Sequence, residues 1–155
     1  MSILILIGVI LMVIMLCAAK HENCIKIKLA INESEKVEIS DYIIVPGYEN
    51  EYFLSITTDN PGSYDLNFSF IEKGNTENVL KEHFYVLIEY DGEVYYDDKL
   101  SNLYERTDIT IEMNLKRVLG TEVRIVYYIP SEVGNDIQGE IVDFDLFVTA
   151  TEKRD

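Results

Sequence analysis

Hydrophobic and polar residues alternate with a period of two along most of the chain. In the segment 25–31, isoleucine or leucine stands at every second position, and Lys26 and Lys28 lie between them. A period of two is that of a β-strand with one buried face. We therefore predict about nine strands, at residues 25–31, 36–39, 52–58, 65–70, 85–90, 94–96, 108–115, 122–128 and 140–151.

Turn-forming residues separate these strands, and one segment departs from the alternation. Pro46-Gly47 favours a turn, and Asp91-Gly92 predicts a two-residue hairpin, because both central positions of such a turn favour positive φ. Asn75 is predicted to cap a short helix that runs to about Phe84. Short strands separated by turns are typical of all-β folds. We predict an antiparallel, jelly-roll-like β-sandwich with one short helix.

The first part of the chain is strongly apolar, since residues 3–19 include no charged residue. Their length is at the lower limit for a helix that crosses a bilayer. Cys17-Ala18-Ala19 also offers small residues for signal-peptide cleavage. We predict an N-terminal hydrophobic helix at residues 1–19, either a retained membrane anchor or a cleaved signal. An extracytoplasmic domain follows at residues 20–155, and an uncleaved helix contacts the membrane through residues 3–19.

The charge balance restricts the partners of this domain. Asp and Glu number 28 against 13 Lys and Arg, which gives a net charge of −15. Such a surface repels nucleic acids and anionic lipid headgroups. No nucleic-acid partner is predicted, and the acidic residues are interpreted either as a solvated surface or as an attraction for cations.

No catalytic motif is present in the sequence. His21 opens the stretch "HENCI", which begins like the helix motif of zinc proteases, but Ile25 stands where the second histidine belongs. His83, the other histidine, is interpreted as a helix-end residue. Cys24 is the only cysteine outside the apolar segment, so we expect it to be a small strand residue without an internal disulfide. We predict no catalytic residues, no cofactor and no metal ligands.

Two weaker possibilities for ligands remain open. Calcium prefers clustered carboxylates, and the sequence offers two pairs, Asp97-Asp98 and Asp143 with Asp145; the alternative is that they face solvent. The chain also has eleven tyrosines and no tryptophan. Tyr95-Tyr96 and Tyr127-Tyr128 place one ring on each face of a strand, either for binding a sugar or partner or for packing.

The stretch "YYIPSEVGNDIQG" carries the most informative pattern. A strand ends at a proline, a polar loop follows, and a final aromatic strand, "IVDFDLFVTAT", closes the chain. This arrangement resembles the C-terminal signature of the camelysin and TasA family of exported biofilm matrix proteins. The matching residues are Tyr128, Pro130, Gly134, Asn135, Gln138 and Gly139. From their chemistry alone, the loop residues fit either a structural role or contact with a ligand or partner.

The resemblance implies a function as well as a fold. It implies an exported jelly-roll domain in which the N-terminal strand of one subunit completes a sheet of the next, or contacts another matrix protein. Strand addition of this kind supplies main-chain hydrogen bonds and side-chain pockets. By position and alternation, the candidate donor strand includes Cys24, Ile25, Ile27, Leu29 and Ile31. The alternatives are a camelysin-like zinc metalloprotease and a carbohydrate-binding module.

Overall fold

The computed structural model describes residues 21, 23–39, 45–73, 79–104, 106, 109–137 and 142–153. Within these ranges the chain forms an all-β sandwich of two sheets. The predicted N-terminal hydrophobic helix lies outside the described residues. None of the helices inside these ranges is long and apolar enough to cross a membrane.

Nine strands account for most of the described residues. They are β1 (Cys24–Leu29), β2 (Ser34–Val37), β3 (Glu49–Thr58), β4 (Gly62–Glu72), β5 (Tyr85–Tyr90), β6 (Glu93–Lys99), β7 (Ile109–Leu115), β8 (Thr121–Tyr128) and β9 (Phe144–Glu152). One sheet has five strands in the order β1-β3-β8-β5-β6, and the other has four in the order β2-β9-β4-β7.

Strands β2 to β9 have the connectivity of a jelly roll. Consecutive strands from β2 to β5 and from β6 to β9 cross between the sheets, and every pairing among these eight strands is antiparallel. β1 departs from this pattern, because it pairs with β3 in parallel. The prediction of a purely antiparallel sandwich is therefore wrong at this strand.

The alternation that predicted the strands also defines the core. β7 has the clearest pattern, in which Ile109, Ile111, Met113 and Leu115 are buried and the residues between them are exposed. Such alternation lets one face of each sheet pack against the other sheet while the opposite face meets water. The Asp91-Gly92 hairpin turn is confirmed, with φ of 52° and 79°.

The helical segments differ from the prediction. The described part of the predicted helix is a short 3₁₀ helix, Val79–Glu82, and residues 74–78 lie outside the described ranges. A short α-helix, α1 (Leu100–Tyr104), follows β6 and was not predicted. The Asp98 carboxylate accepts hydrogen bonds from the Lys99 N–H at 2.7 Å and the Asn102 amide at 2.8 Å. Asp98 lies two residues before α1 and holds its first turn through the Asn102 side chain.

The rings of Tyr127 and Tyr96 are both buried, but their hydroxyl groups differ in hydrogen bonding. The Tyr127 ring packs against Tyr52, Phe84 and Phe144, and its hydroxyl has no hydrogen-bond partner among the described residues. The Tyr96 hydroxyl donates to the Lys99 carbonyl at 2.7 Å. A buried polar group without a partner costs free energy, whereas a paired one stabilises the fold.

Replacing each of these tyrosines by phenylalanine is expected to have opposite effects. Tyr127→Phe removes an unpaired hydroxyl and should raise the free energy of unfolding by about 1 kcal/mol. Tyr96→Phe removes a hydrogen bond and should lower it by about 0.5–1.5 kcal/mol. Urea unfolding of the two variants and the native protein measures both changes. A loss of stability in Tyr127→Phe equal to that in Tyr96→Phe would contradict this account.

Candidate functional site

Among the described strands, β1 occupies one edge of the five-stranded sheet and pairs with β3 alone. Ile27 and Leu29 point inward and are 6% and 1% exposed, whereas Lys26 and Lys28 lie on the exposed face. Since the jelly roll of β2 to β9 is complete without it, β1 is an additional strand. The predicted donor segment is thus a strand at an edge, and its donation to another subunit stays a prediction.

A four-residue connection joins β1 to β2 and crosses from one sheet to the other. Along it, Ile31 lies opposite Ala150 of β9, and the Asn32 N–H donates to the Ala150 carbonyl at 2.8 Å. Asn32 has a φ of 63°, a left-handed conformation that asparagine tolerates better than most residues. We call Cys24–Val37 the N-terminal arm. It covers the side of the sandwich where β3 and β9 would otherwise be the edges.

The arm is held by polar contacts as well as by its buried residues. Lys28 forms an ion pair with Asp59 at 2.8 Å on the β1 side. On the β2 side, Ser34 and Thr149 join their hydroxyls at 2.7 Å. Val37 is the one residue of β2 that is buried. The arm therefore places three buried side chains in the described core, and Ile25 and Ile31 pack against it partly buried. Its polar contacts lie nearer the surface.

Cys24 differs from its prediction. It is disulfide-bonded, and no free cysteine occurs in the described part of the chain. The expectation that Cys24 has no disulfide partner within the chain is therefore wrong. The sequence contains one other cysteine, Cys17, which lies outside the described ranges. The expectation failed because it assigned Cys17 to the apolar segment and excluded it from the domain.

The signature residues lie where β8 leaves the sheet. Tyr128 ends β8, Pro130 follows after one residue, and Asn135 begins a short 3₁₀ helix, Asn135–Ile137. The intervening Ile129 exchanges backbone hydrogen bonds with the Pro46-Gly47 turn: its N–H donates to Tyr48, and its carbonyl accepts from Gly47. This contact supports a structural role for the loop. Gln138 and Gly139 lie outside the described residues, as do their predicted contacts.

The same loop borders a surface depression of about 420 Å³. Its lining residues are His83, Tyr85, Pro130, Glu132, Val133, Gly134 and Ile137. His83 follows the first 3₁₀ helix, as its interpretation as a helix-end residue requires. Tyr85 and Glu132 were not singled out from the sequence. For Tyr85 the sequence offers one indication, its outward position on β5 opposite Tyr128. For Glu132 it offers none.

The paired tyrosines divide between core and surface, as their position on strands predicts. Tyr96 and Tyr127 are buried, whereas Tyr95 and Tyr128 are only partly covered. Burial raises the pKa of Tyr96 to about 12. The Tyr128 ring stacks on Tyr85 with centroids 5.2 Å apart, and its hydroxyl donates to Asp97 at 2.7 Å. Tyr128 is therefore already engaged on the outer face of the sheet.

The two histidines lie near opposite ends of β8. The His21 ring stacks on Phe53 with centroids 3.4 Å apart, and its Nε2 lies 3.5 Å from Glu122 near the start of β8. His83 lines the depression next to Pro130, beyond the other end. A strand rises about 3.3 Å per residue, so the eight residues of β8 separate the two rings. No group of three potential ligands is arranged for a metal within the described ranges.

The aspartates considered for calcium have other partners. Asp97 accepts from Tyr128, and Asp98 accepts the hydrogen bonds at the start of α1. Asp145 lies 2.8 Å from Lys36 of β2 and 3.4 Å from Lys73. The hydrogen bond from Lys36 lowers the pKa of Asp145, and the charges of both lysines act in the same direction. Asp145 thus fastens the arm to β9 and to the end of β4.

Comparisons with known proteins give structural neighbours only. No family model matches the chain, and no curated protein matches it. The structure of the CUB1-EGF-CUB2 domains of rat MASP-1 aligns with 85% of this chain. The alignment covers 44% of the MASP-1 chain, with 13% sequence identity and a TM-score of 0.44. The structure of the CUB1-EGF-CUB2 domain of human MASP-1/3 aligns with 78% of this chain and 42% of its own chain, with 14% sequence identity and a TM-score of 0.40. The chain spans less than half of either structure, and neither similarity bears on its function.

The pairing of Asp145 with Lys36 generates a prediction for acid stability. The pKa of Asp145 is lowered in the folded protein. Its contribution to the free energy of unfolding is therefore fully present above the pKa of the unfolded chain, about 3.9, and is lost as the pH falls through the pKa of the folded protein. Asp145→Asn should therefore be less stable than the native protein at pH 7, and the difference should shrink below about pH 4. Urea unfolding of the variant and the native protein between pH 2 and pH 7 measures this difference in the free energy of unfolding.

Asp143→Asn is the matched control for that measurement. Asp143 is more exposed, and its contact with Lys73 is longer, at 3.8 Å. It should change the free energy of unfolding less at every pH. A constant difference between Asp145→Asn and the native protein across the pH range would contradict the assigned ion pair.

Proposed function

We propose that this protein is a non-enzymatic bacterial surface protein, exported or tethered to the membrane, whose subunits assemble by exchanging an N-terminal strand. The observation that carries the proposal is β1. It is an additional strand at an edge of a complete jelly roll, and it runs parallel to its single neighbour β3. An added strand of this kind can be supplied by the same chain or by another copy.

The energetics of β1 suit such an exchange. Its backbone pairs with residues 53–58 along its whole length, and Ile27 and Leu29 fill the core. A second copy supplies identical hydrogen bonds and side chains, so donation changes the connectivity of the contacts and not their number. It also keeps the β3 edge paired, and an unpaired edge strand invites aggregation.

Three features support a place outside the cytoplasm. Residues 3–19 are suited to an anchor or export signal, and disulfides such as that of Cys24 persist mainly in oxidising compartments. The net charge of −15 suits a soluble surface that does not bind nucleic acid. The signature residues resemble exported matrix proteins, which extends the proposal to fibres of a biofilm matrix, formed by this chain alone or with a matrix protein partner.

The outward tyrosines favour one alternative, a carbohydrate-binding module. Tyr85 and Tyr128 form a stacked pair beside the 420 Å³ depression, and aromatic rings are common in pockets that bind small ligands. Glycan-array binding lost in Tyr128→Ala and retained in Tyr95→Ala would favour this function. Absence of binding by the native protein removes it. A zinc metalloprotease is a weaker alternative, because the two histidines are separated by the length of β8.

Self-assembly of the full-length protein tests the proposed function. In mild detergent at rising concentration, we expect size-exclusion chromatography to show a ladder of oligomers and electron microscopy to show fibres. Deletion of residues 24–31 should abolish both, because the strand that is exchanged, β1, is then absent. Circular dichroism of this variant checks that the sandwich remains folded.

The outward residues of the same strand provide the matched control. Lys26→Ala/Lys28→Ala changes two exposed positions of β1. The Lys28–Asp59 ion pair that it removes is exposed and contributes little, so the oligomers should remain in place. A native protein that stays monomeric at every concentration would overturn the proposal. So would peptidase activity that disappears when zinc is chelated.

A further inference from the structure

We propose that the exchanged unit is the whole N-terminal arm, Cys24–Val37, and that its acceptor is a second copy of this chain. The arm then adds one strand to each sheet of the neighbouring subunit, β1 beside β3 and β2 beside β9. This inference rests on the proposed function and specifies the interface that strand exchange would form.

The connection between β1 and β2 has too little length for β1 to leave alone. It contains four residues, 30–33, which extend to about 14 Å at most. Packed sheets lie about 10 Å apart, so crossing between them uses most of that length. The connection is also fixed to β9 by the Asn32 hydrogen bond to Ala150. While β2 remains in place, β1 can therefore pair only with an edge whose near end lies within about 14 Å of Ser34.

The chain has more length on the other side of β2. Seven residues, 38–44, separate Val37 from Val45, and they extend to about 25 Å. Beyond them, the Tyr48 N–H donates to the Val45 carbonyl, and the Gly47 N–H donates to Ile129 of the signature loop. Among the described residues after β2, Ile39 is partly buried against the core, and this turn is the first segment that forms backbone hydrogen bonds to the sandwich. Release of the arm after Val37 leaves the turn and the jelly-roll strands from β3 onward intact.

β2 is also weakly held compared with its neighbours. It has four residues, three of which are exposed, and Val37 is the one that is buried. Its Lys36–Asp145 ion pair joins a lysine that is 39% exposed to a carboxylate that is 20% exposed, and a single pair that is partly open to solvent contributes modestly. Separating β2 from β9 thus requires far less than separating any long strand. Every contact that is lost can be formed again on the neighbouring subunit.

The side that the arm vacates is a complementary acceptor. Removal of the arm exposes the β3 edge at residues 53–58 and the β9 edge at residues 146–149. Both edges lie on the same side of the sandwich, because β1 and β2 occupy them together. An incoming arm therefore pairs with both sheets and buries Ile27, Leu29 and Val37 in one step.

Disulfides between separately prepared chains test which strands are exchanged. Lys28 and Thr57 are register partners of β1 and β3, and Ser34 and Thr149 are register partners of β2 and β9. Neighbouring strands are about 4.8 Å apart, within the roughly 4.4–6.8 Å that a disulfide spans between Cα atoms. Full-length Lys28→Cys is mixed with Thr57→Cys, and Ser34→Cys with Thr149→Cys. Each mixture is assembled under reducing conditions and then oxidised.

Exchange of the whole arm predicts that both mixtures yield a species at twice the mass of one chain on non-reducing gels. Peptide mass spectrometry should identify the two joined positions. The matched control is each single variant mixed with native protein, which carries the native cysteines and should not give these linkages. Lys28 and Ser34 are exposed, and Thr57 and Thr149 are half-buried on the outer faces of their sheets, so we expect thermal unfolding to show that each variant folds.

The outcomes separate this inference from the proposed function. Linkage of Lys28→Cys to Thr57→Cys without the second linkage means that β1 is exchanged alone, which overturns the inference and leaves the proposed function standing. Oligomers without either linkage, or no oligomers at all, overturn both. Linkage of Ser34→Cys to Thr149→Cys without linkage of Lys28→Cys to Thr57→Cys also overturns the inference.

Discussion

The pairing of β1 with β3 is the interaction on which the rest of the structure depends. Without it, the five-stranded sheet ends at β3, whose backbone donors and acceptors face water along a buried, hydrophobic strand. Unpaired edges of this kind associate with other chains. The connection to β2 covers β9 at the same time, so one short segment closes both sheets. The stability of the sandwich and the protection of both sheet edges thus depend on the same few residues.

Much of the fold follows from local sequence. Alternation identified the strands, since Ile109 to Leu115 is inward at every second position, and Asp91-Gly92 identified its hairpin. The direction of β1 was missed, because alternation shows which face is buried and not which neighbour pairs. α1 was missed because five residues carry too little periodicity, although Asp98 lies two residues before it and holds its first turn. The disulfide of Cys24 was missed because the apolar segment was treated as separate from the domain.

The candidate site was predicted only in part, for a related reason. The sequence identified the β1 segment and the signature loop as separate features. It did not show that β2 covers the same side of the sandwich as β1. It also did not show that Ile129 joins the loop to the Pro46-Gly47 turn. Both relations link positions distant in the chain. On the outer face, Arg124 bridges Glu51 and Glu89 on neighbouring strands, another long-range arrangement that no single stretch of sequence reveals.

The position of the arm has a consequence for the symmetry of any assembly that it builds. An arm that passes from each subunit to the next without being returned forms a heterologous contact, and such contacts give open filaments unless the rotation closes a ring. A filament built in this way would be polar: one terminal subunit would present an empty acceptor, and the other would present a free arm. A chain shortened before Ser34 would enter at one terminus alone and stop growth there, so processing of the N-terminus would set filament length.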